Sequence, residues 1–254
     1  PANQAKWYNI TYPTIDQAVD VMYEIGRSEI GMMVMTVPPI WRYVARARGK
    51  GANAFWEEWN KAKDAIDPEQ TIVRVLLMGF TSEKQLAYEE RVLQDIAAET
   101  GGVIRPGRPN DESWFMSADA ISIMFIGGAE MSELSFDTVE SGLKVGRDTV
   151  QLARKHMPPF GQDYGNPGWL TMYEFGHMGH VEYLAYADLD DAMELYRFGG
   201  ECMQRDVKLG AYPGYQDVNV LGPAWFNFDR IMRAIKATFD PNNVSNPPKP
   251  LNYG

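Results

Sequence analysis

The residues best suited to chemistry in this chain are few. It has three histidines, His156, His177 and His180. His177 and His180 lie three apart, and Glu182 follows two residues later. On a strand or an open turn these side chains could converge on a divalent metal, or one imidazole could act as a general base. The alternative is that they are polar residues in a turn between two strands. His156 follows Arg154-Lys155 and suits the last turn of a helix, where a cation complements the dipole. Tyr212 and Tyr215 sit on the loop Gly210-Ala211-Tyr212-Pro213-Gly214-Tyr215. Two tyrosines on a glycine-rich loop could hydrogen-bond an oxyanion or a phenolate, or they could pack at the turn. The single cysteine, Cys202, falls within a helical pattern and reads as a small buried apolar group.

Several chemistries lack their residues. Gly127-Gly128 does not have the spacing of a dinucleotide fingerprint, and no Walker-type Gly-Lys-Ser or Gly-Lys-Thr occurs. No Gly-x-Ser-x-Gly elbow is present. A nucleotide cofactor would therefore have to be gripped by another domain or chain. Lys plus Arg number 24 against 34 Asp plus Glu, a formal charge of −10. That balance opposes a nucleic-acid partner, whose binding rests on neutralising phosphates, and opposes docking on an anionic membrane. One cysteine excludes an internal disulfide. No apolar run reaches the roughly 18–20 residues of a membrane-spanning helix, and the polar start, Pro1 to Asn9, has no secretory apolar core. The expected location is cytoplasmic. The chain begins at Pro1, as a mature chain after Met removal or a fragment of something longer would.

With 45% apolar residues over 254 positions, the chain can bury a full core. Asn9–Tyr12 reads as a strand. Thr14-Ile15-Asp16-Gln17 is a capping box opening a helix that Gly26 stops. Ile30–Val37 is a strand-length apolar run, and Trp41–Arg48 and Phe55–Ala65 look helical. Thr71–Phe80 is a strand rich in β-branched residues and Leu. Ser82-Glu83-Lys84-Gln85 is a second capping box, and Gly101-Gly102 closes its helix before Val103-Ile104-Arg105. Strand, helix, strand thus occurs twice in about the first hundred residues. This predicts an α+β fold of ferredoxin-like units, a mostly antiparallel sheet with helices packed on it. Further on, Ile121–Ile126 reads as a strand and Phe136–Lys155 as a long helix. Leu170–Phe175 and Val181–Ala187 alternate like strands, with Gly176–His180 between them. Asp188 can cap a helix running to about Leu209. Trp225, Phe228, Met232, Ile235 and Phe239 form the stripe of a last helix, ended by Asp240-Pro241-Asn242-Asn243.

That last segment is the most specific. Ile231 to Lys249, with Ile235-Lys236, then Asp240-Pro241-Asn242, then Asn246-Pro247-Pro248-Lys249, resembles the C-terminal signature of FAD-linked oxidases of the vanillyl-alcohol oxidase type, with Pro248 in place of the usual Gly. Pro241 stops the helix, Asn242 or Asn243 takes the left-handed turn, and Asn246-Pro247 holds the tail extended. The order of elements before it follows that family's C-terminal substrate, or cap, domain. The resemblance implies that residues 1–254 are such a cap domain. Its FAD-binding domain is not in this chain, so FAD is held by a domain on another chain or an absent segment, in a hetero- or homo-oligomer. It places Asn246 and Lys249 near the flavin.

The resemblance also implies the reaction, a hydride passing from a small-molecule substrate to FAD. Hydroxy-acid members carry a His-x-Gly-Asp-Gly-Asn segment and a later Gly-Glu-His-Gly. Here His177-Met178-Gly179-His180-Val181-Glu182 and Gly210-Ala211-Tyr212-Pro213 stand in those places, the second without Glu or His. Phenol-oxidising members put Tyr there. The reading is therefore an aromatic alcohol or alkylphenol as substrate and no metal, with Tyr212, His177 and His180 as catalytic residues and Tyr215 and Glu182 binding substrate. The competing readings are a 2-hydroxy-acid dehydrogenase of the same family, a non-catalytic ferredoxin-like binding module, and a small metal enzyme using His177, His180 and Glu182.

Overall fold

Alternation of side chains decides the first strand. In Ala5–Tyr12 (β1), Tyr8, Ile10 and Tyr12 are buried in the main core, while Trp7, Asn9 and Thr11 take the other side. The computed structural model describes residues 5–38, 50–67, 69–107, 129–156, 167–213 and 228–245. Thr14 caps Ile15–Arg27 (α1): its hydroxyl accepts from Gln17 N at 3.3 Å and donates to the Gln17 side chain at 3.1 Å. Ile15, Ala18, Val19, Met22 and Ile25 then recur at helical spacing and bury one face. Met33–Val37 (β2), Ala52–Ala62 (α2) and Thr71–Met78 (β3) follow. Ser82 caps Glu83–Glu99 (α3), accepting from Gln85 N at 3.2 Å, and the Gln85 side chain reaches back to Thr81 N. Val103–Pro106 (β4) completes this unit.

The second unit repeats the order with Ala129–Asp137 (β5), Val139–Ala153 (α4), Trp169–Tyr173 (β6), Met178–Ala187 (β7), Ala192–Leu209 (α5) and Tyr212–Pro213 (β8). The eight strands form one sheet in the order β4-β1-β3-β2-β6-β7-β5-β8, and every recorded pair is antiparallel. Each half is a four-stranded ferredoxin-like unit. The units meet through their equivalent strands, β2 and β6, at Val34↔Met172 and Met35↔Thr171. Equivalent strands that pair antiparallel are related by a two-fold axis normal to the sheet. The Thr36 hydroxyl closes this seam, donating to Gly168 O at 3.1 Å and accepting from Leu170 N at 2.8 Å. On the helix side, Arg147 of α4 makes a two-pronged contact with Asp16 of α1.

Four helices, α1, α3, α4 and α5, pack on one face of the sheet around two buried clusters. Helix α2 lies on the second face, where its buried Phe55 meets Tyr186 of β7 at 5.4 Å between ring centres. The last helix, Phe228–Phe239 (α6), carries its apolar stripe exposed at Ile231, Ile235 and Phe239.

Three local expectations shift. Phe136 belongs to β5, and the helix begins after Thr138, whose hydroxyl accepts from Ser141 N at 3.1 Å. His180 lies within β7, not between strands. Asp188 precedes a short 3-10 turn, Leu189–Asp191, so α5 starts at Ala192. The segments expected at Trp41–Arg48 and Ile121–Ile126 lie outside the described residues. Among the described residues, no helix is long and apolar enough to cross a membrane.

Candidate active site

Residues opposed across an antiparallel pair project to the same face. One register line crosses the whole sheet on its second face. It runs from Tyr212 through Phe136, His180 and Thr171 in the second unit, and on through Met35, Arg74, Asn9 and Arg105 in the first. Trp7, Leu76 and Trp169 share this face and are buried, as are Met35 and Thr171. The result is an apolar, aromatic layer with a few polar groups set into it, the usual composition of a small-molecule site.

His180 is the most perturbed of those polar groups. Its residue is 9% exposed. Phe136 stacks on its ring at 4.8 Å and 14°. The Tyr173 hydroxyl lies 3.4 Å from its Nδ1. Its Nε2 is buried and, among the described residues, has no hydrogen-bond partner, an arrangement that costs free energy unless something arrives to complete it. Burial pulls its pKa down to about 4, so the imidazole is neutral near pH 7. Such a group is a hydrogen-bonding device more than a store for a proton. Burial raises the Tyr173 pKa, and the Glu182 carboxylate adds to the rise.

The other sequence-selected residues fall at different places. Tyr212, on β8, is 45% exposed and is separated from His180 by Phe136 on the register line. Glu182 is half-buried opposite Trp169, on the same face as His180. His177 is exposed in the turn before β7. His177 thus stands in solvent at the turn, whereas His180 is buried within β7. Among the described residues no three His, Cys, Asp or Glu side chains gather as a metal site. Tyr215, Asn246 and Lys249 lie outside the described residues. Tyr173 and Phe136 were not singled out by sequence; their pairing with His180 depends on the β6-β7-β5 register, which no local pattern displays. A shallow groove between α1 and α4, lined by Asp16, Glu140, Lys144 and Arg147, lies on the helix side, apart from this cluster.

The C-terminal signature has a definite structural job. Asp240 accepts from Val244 N at 2.8 Å and Ser245 N at 2.9 Å and pairs with Lys236, which also reaches Ser245 O. Asn243 takes the left-handed turn with φ 50°. Pro241 follows the end of the helix, and Asp240 ties the turn that comes next to it. The hydrogen bond from Lys236 leads the causes that lower the Asp240 pKa.

Fold and site define an α+β domain of two fused ferredoxin-like units with an aromatic layer on one face of a shared sheet. Residues 228–249 match the model of a family described as FAD linked oxidases, C-terminal domain. Solved structures share the fold. It matches alkyldihydroxyacetonephosphate synthase at 17% identity and TM-score 0.57, covering 96% of this chain and 44% of that one. It matches 4-ethylphenol oxidase from Gulosibacter chungangensis, in complex with isoeugenol, at 15% identity and TM-score 0.64, covering 95% of this chain and 52% of that one. The chain thus spans about half the length of these structures. No curated protein matches it. The matched family is one of FAD-linked proteins, and the resemblance of the tail holds.

The aromatic layer and the unpartnered His180 nitrogen fit a planar ring or a ring-bearing substrate. The cations of this face among the described residues, Arg74 and Arg105, lie in the first unit on either side of Asn9.

Proposed function

We propose that this chain is the substrate-binding part of a FAD-dependent oxidoreductase of the vanillyl-alcohol oxidase type, oxidising an aromatic alcohol or alkylphenol. The FAD-binding domain is supplied by another chain or by a segment outside these residues, and the assembly works in the cytoplasm. The observation that carries this reading is the aromatic second face with a buried imidazole nitrogen awaiting a partner, in a chain whose tail matches FAD-linked oxidases.

FAD, when bound, accepts the hydride that leaves the reacting carbon. Asn246 and Lys249 are the residues of this chain assigned to its edge. The chain's own work is to bind and orient. The aromatic layer takes the substrate ring out of water. His180 and Tyr212 hold the substrate oxygen, with Tyr215 and Glu182 lining the site. As the C–H bond breaks with its electron pair, the O–H proton leaves past Tyr212, whose side chain is open to solvent. His177 stands exposed at the rim.

The test is to purify the native assembly and record its absorbance. A flavin spectrum that bleaches when 4-ethylphenol or a benzylic alcohol is added without oxygen is the expected result. An assembly that carries no flavin, or a flavin that no alcohol or phenol reduces, overturns the reading.

A further inference from the structure

We infer that His180 is a fixed, uncharged N–H donor to the substrate's oxygen, that Tyr173 is the positioning residue selecting its tautomer, and that the site therefore takes an uncharged phenol or benzylic alcohol in preference to a carboxylate. This rests on the second face being the substrate site. The Tyr173 hydroxyl is 3.4 Å from Nδ1. A tyrosine O–H donating there makes Nδ1 the acceptor and leaves the ring proton on Nε2. That Nε2 is buried and, among the described residues, has no partner. A buried donor without an acceptor is unstable relative to one that has found an oxygen, so the site is incomplete without a ligand atom. Phe136, stacked on the ring, prevents the imidazole from turning away.

The groups facing His180 decide what the ligand's charge can be. Among the described residues they are Phe136 from β5, Thr171 from β6, Tyr173 at the end of β6 and Glu182 on its own strand. None is a cation, and Glu182 is acidic. The first cation on the register line is Arg74, three strands away, roughly 14 Å at the usual strand spacing. A carboxylate placed at Nε2 would lose its water and gain no opposite charge. A neutral hydroxyl loses far less and completes the donor. The low pKa of the imidazole fits the same picture.

The experiment uses the full chain and two probes of matched shape, 4-ethylphenol and 4-ethylbenzoate. Nitrogen-15 spectra of the histidine rings should show His180 neutral at pH 7, with its proton on Nε2, and 4-ethylphenol should move that resonance. Binding should favour the phenol over the benzoate by at least about tenfold. Tyr173→Phe should mix the two tautomers and weaken the phenol about fivefold, with the melting temperature little changed, because Tyr173 is half-exposed. His180→Gln should abolish the preference between probes. An imidazolium at pH 7, a proton on Nδ1, a resonance that 4-ethylphenol leaves unmoved, or equal binding of the benzoate overturns the inference. These outcomes are separable from the flavin test. A bleachable flavin alongside the wrong tautomer sinks only the His180 role. The right tautomer and probe preference in a flavin-free assembly sinks only the oxidoreductase reading.

Discussion

The two ferredoxin-like units share a topology and differ in what they place on it. The two-fold relation superposes β3 on β7 and β1 on β5, so it maps Arg74 onto His180 and Asn9 onto Phe136 along the register line. In the first unit the cross-strand pair is polar, with Arg74 Nε donating to Asn9 Oδ1 at 3.0 Å. In the second it is a stacked ring pair around a neutral imidazole. One end of the face suits a charged or hydrated group, and the other suits an uncharged ring. The hairpins at the equivalent position differ as well. Residues 38–70 connect β2 to β3 and include α2, whereas β6 and β7 are joined by residues 174–177 alone. The same scaffold thus supplies a covering helix from one unit and a tight turn from the other.

The covering helix makes the largest prediction. Phe55 is fully buried and packs on Tyr186 of the other unit. Phe55→Ala should cost about 3–5 kcal/mol, as deletion of a buried aromatic usually does. Urea unfolding measures it. A loss under about 1 kcal/mol would mean that α2 is not part of the cooperative fold, and the contrast between the two hairpins would lose its meaning.

Next in size is the pH response of the second unit's imidazole. His180 has its folded pKa depressed to about 4 from the usual 6.5. Above pH 6.5 the group is neutral in both states and its full contribution is present. As pH falls, the unfolded chain takes up a proton that the folded protein refuses until about pH 4, so stability declines across that window, by about 3 kcal/mol in all. Asp16 and Asp148, held low by Arg147 and Arg205, lose their share only at lower pH. Comparing the unfolding midpoint of wild type and His180→Gln between pH 7 and pH 4 isolates the histidine. Parallel curves would show that its burial carries no such penalty.

How far the sequence reveals this depends on which unit is read. In β1 the alternation of Tyr8, Ile10 and Tyr12, and before α1 and α3 the pairs Thr14–Gln17 and Ser82–Gln85, are local signals, and the structure uses them as such. The second unit hides more. Ala129–Asp137 is a strand written as AEMSELSFD, with two Glu and an Asp in nine residues, so hydrophobic alternation barely shows. Thr138 as the cap of α4 is legible in retrospect, since it precedes Glu140 in the first turn. The site splits the same way. His180 stands out by residue type alone. Its stacking on Phe136 comes from strand register between segments far apart in the chain, and its contact with Tyr173 from the register of the short β6-β7 hairpin, neither of which residue type or spacing encodes.

The tight turn gives a third, smaller effect. Glu174, Phe175 and Gly176 all have positive φ, a conformation that costs non-glycine residues free energy and persists only when the surroundings enforce it. Helix α1 does the enforcing. A Cβ on Gly26 would overlap the Phe175 carbonyl, so only glycine lets the turn sit there. Gly26→Ala should cost about 1–3 kcal/mol. Gly200→Ala is the control, because its Cβ would meet nothing within 4 Å and it lies inside α5. It should be neutral or stabilise by about 0.5–1 kcal/mol. Equal effects at both positions would remove the clamp between α1 and the turn.

The smallest effect on stability belongs to the residue placed nearest the chemistry. Tyr212 is the partner of Phe136 at the edge of the second unit, and nearly half of it is exposed. Losing one hydroxyl there should change the unfolding free energy by less than about 0.5 kcal/mol. If that hydroxyl holds the substrate oxygen as its proton leaves, Tyr212→Phe should lower turnover by about tenfold, which is about 1.4 kcal/mol of transition-state free energy. Its counterpart across the two-fold is Arg105 on β4, and Arg105→Gln should leave turnover of an uncharged phenol unchanged. A rate that drops for Arg105 and not for Tyr212 would place the reacting end of the face in the first unit and reverse the assignment of roles between the two halves.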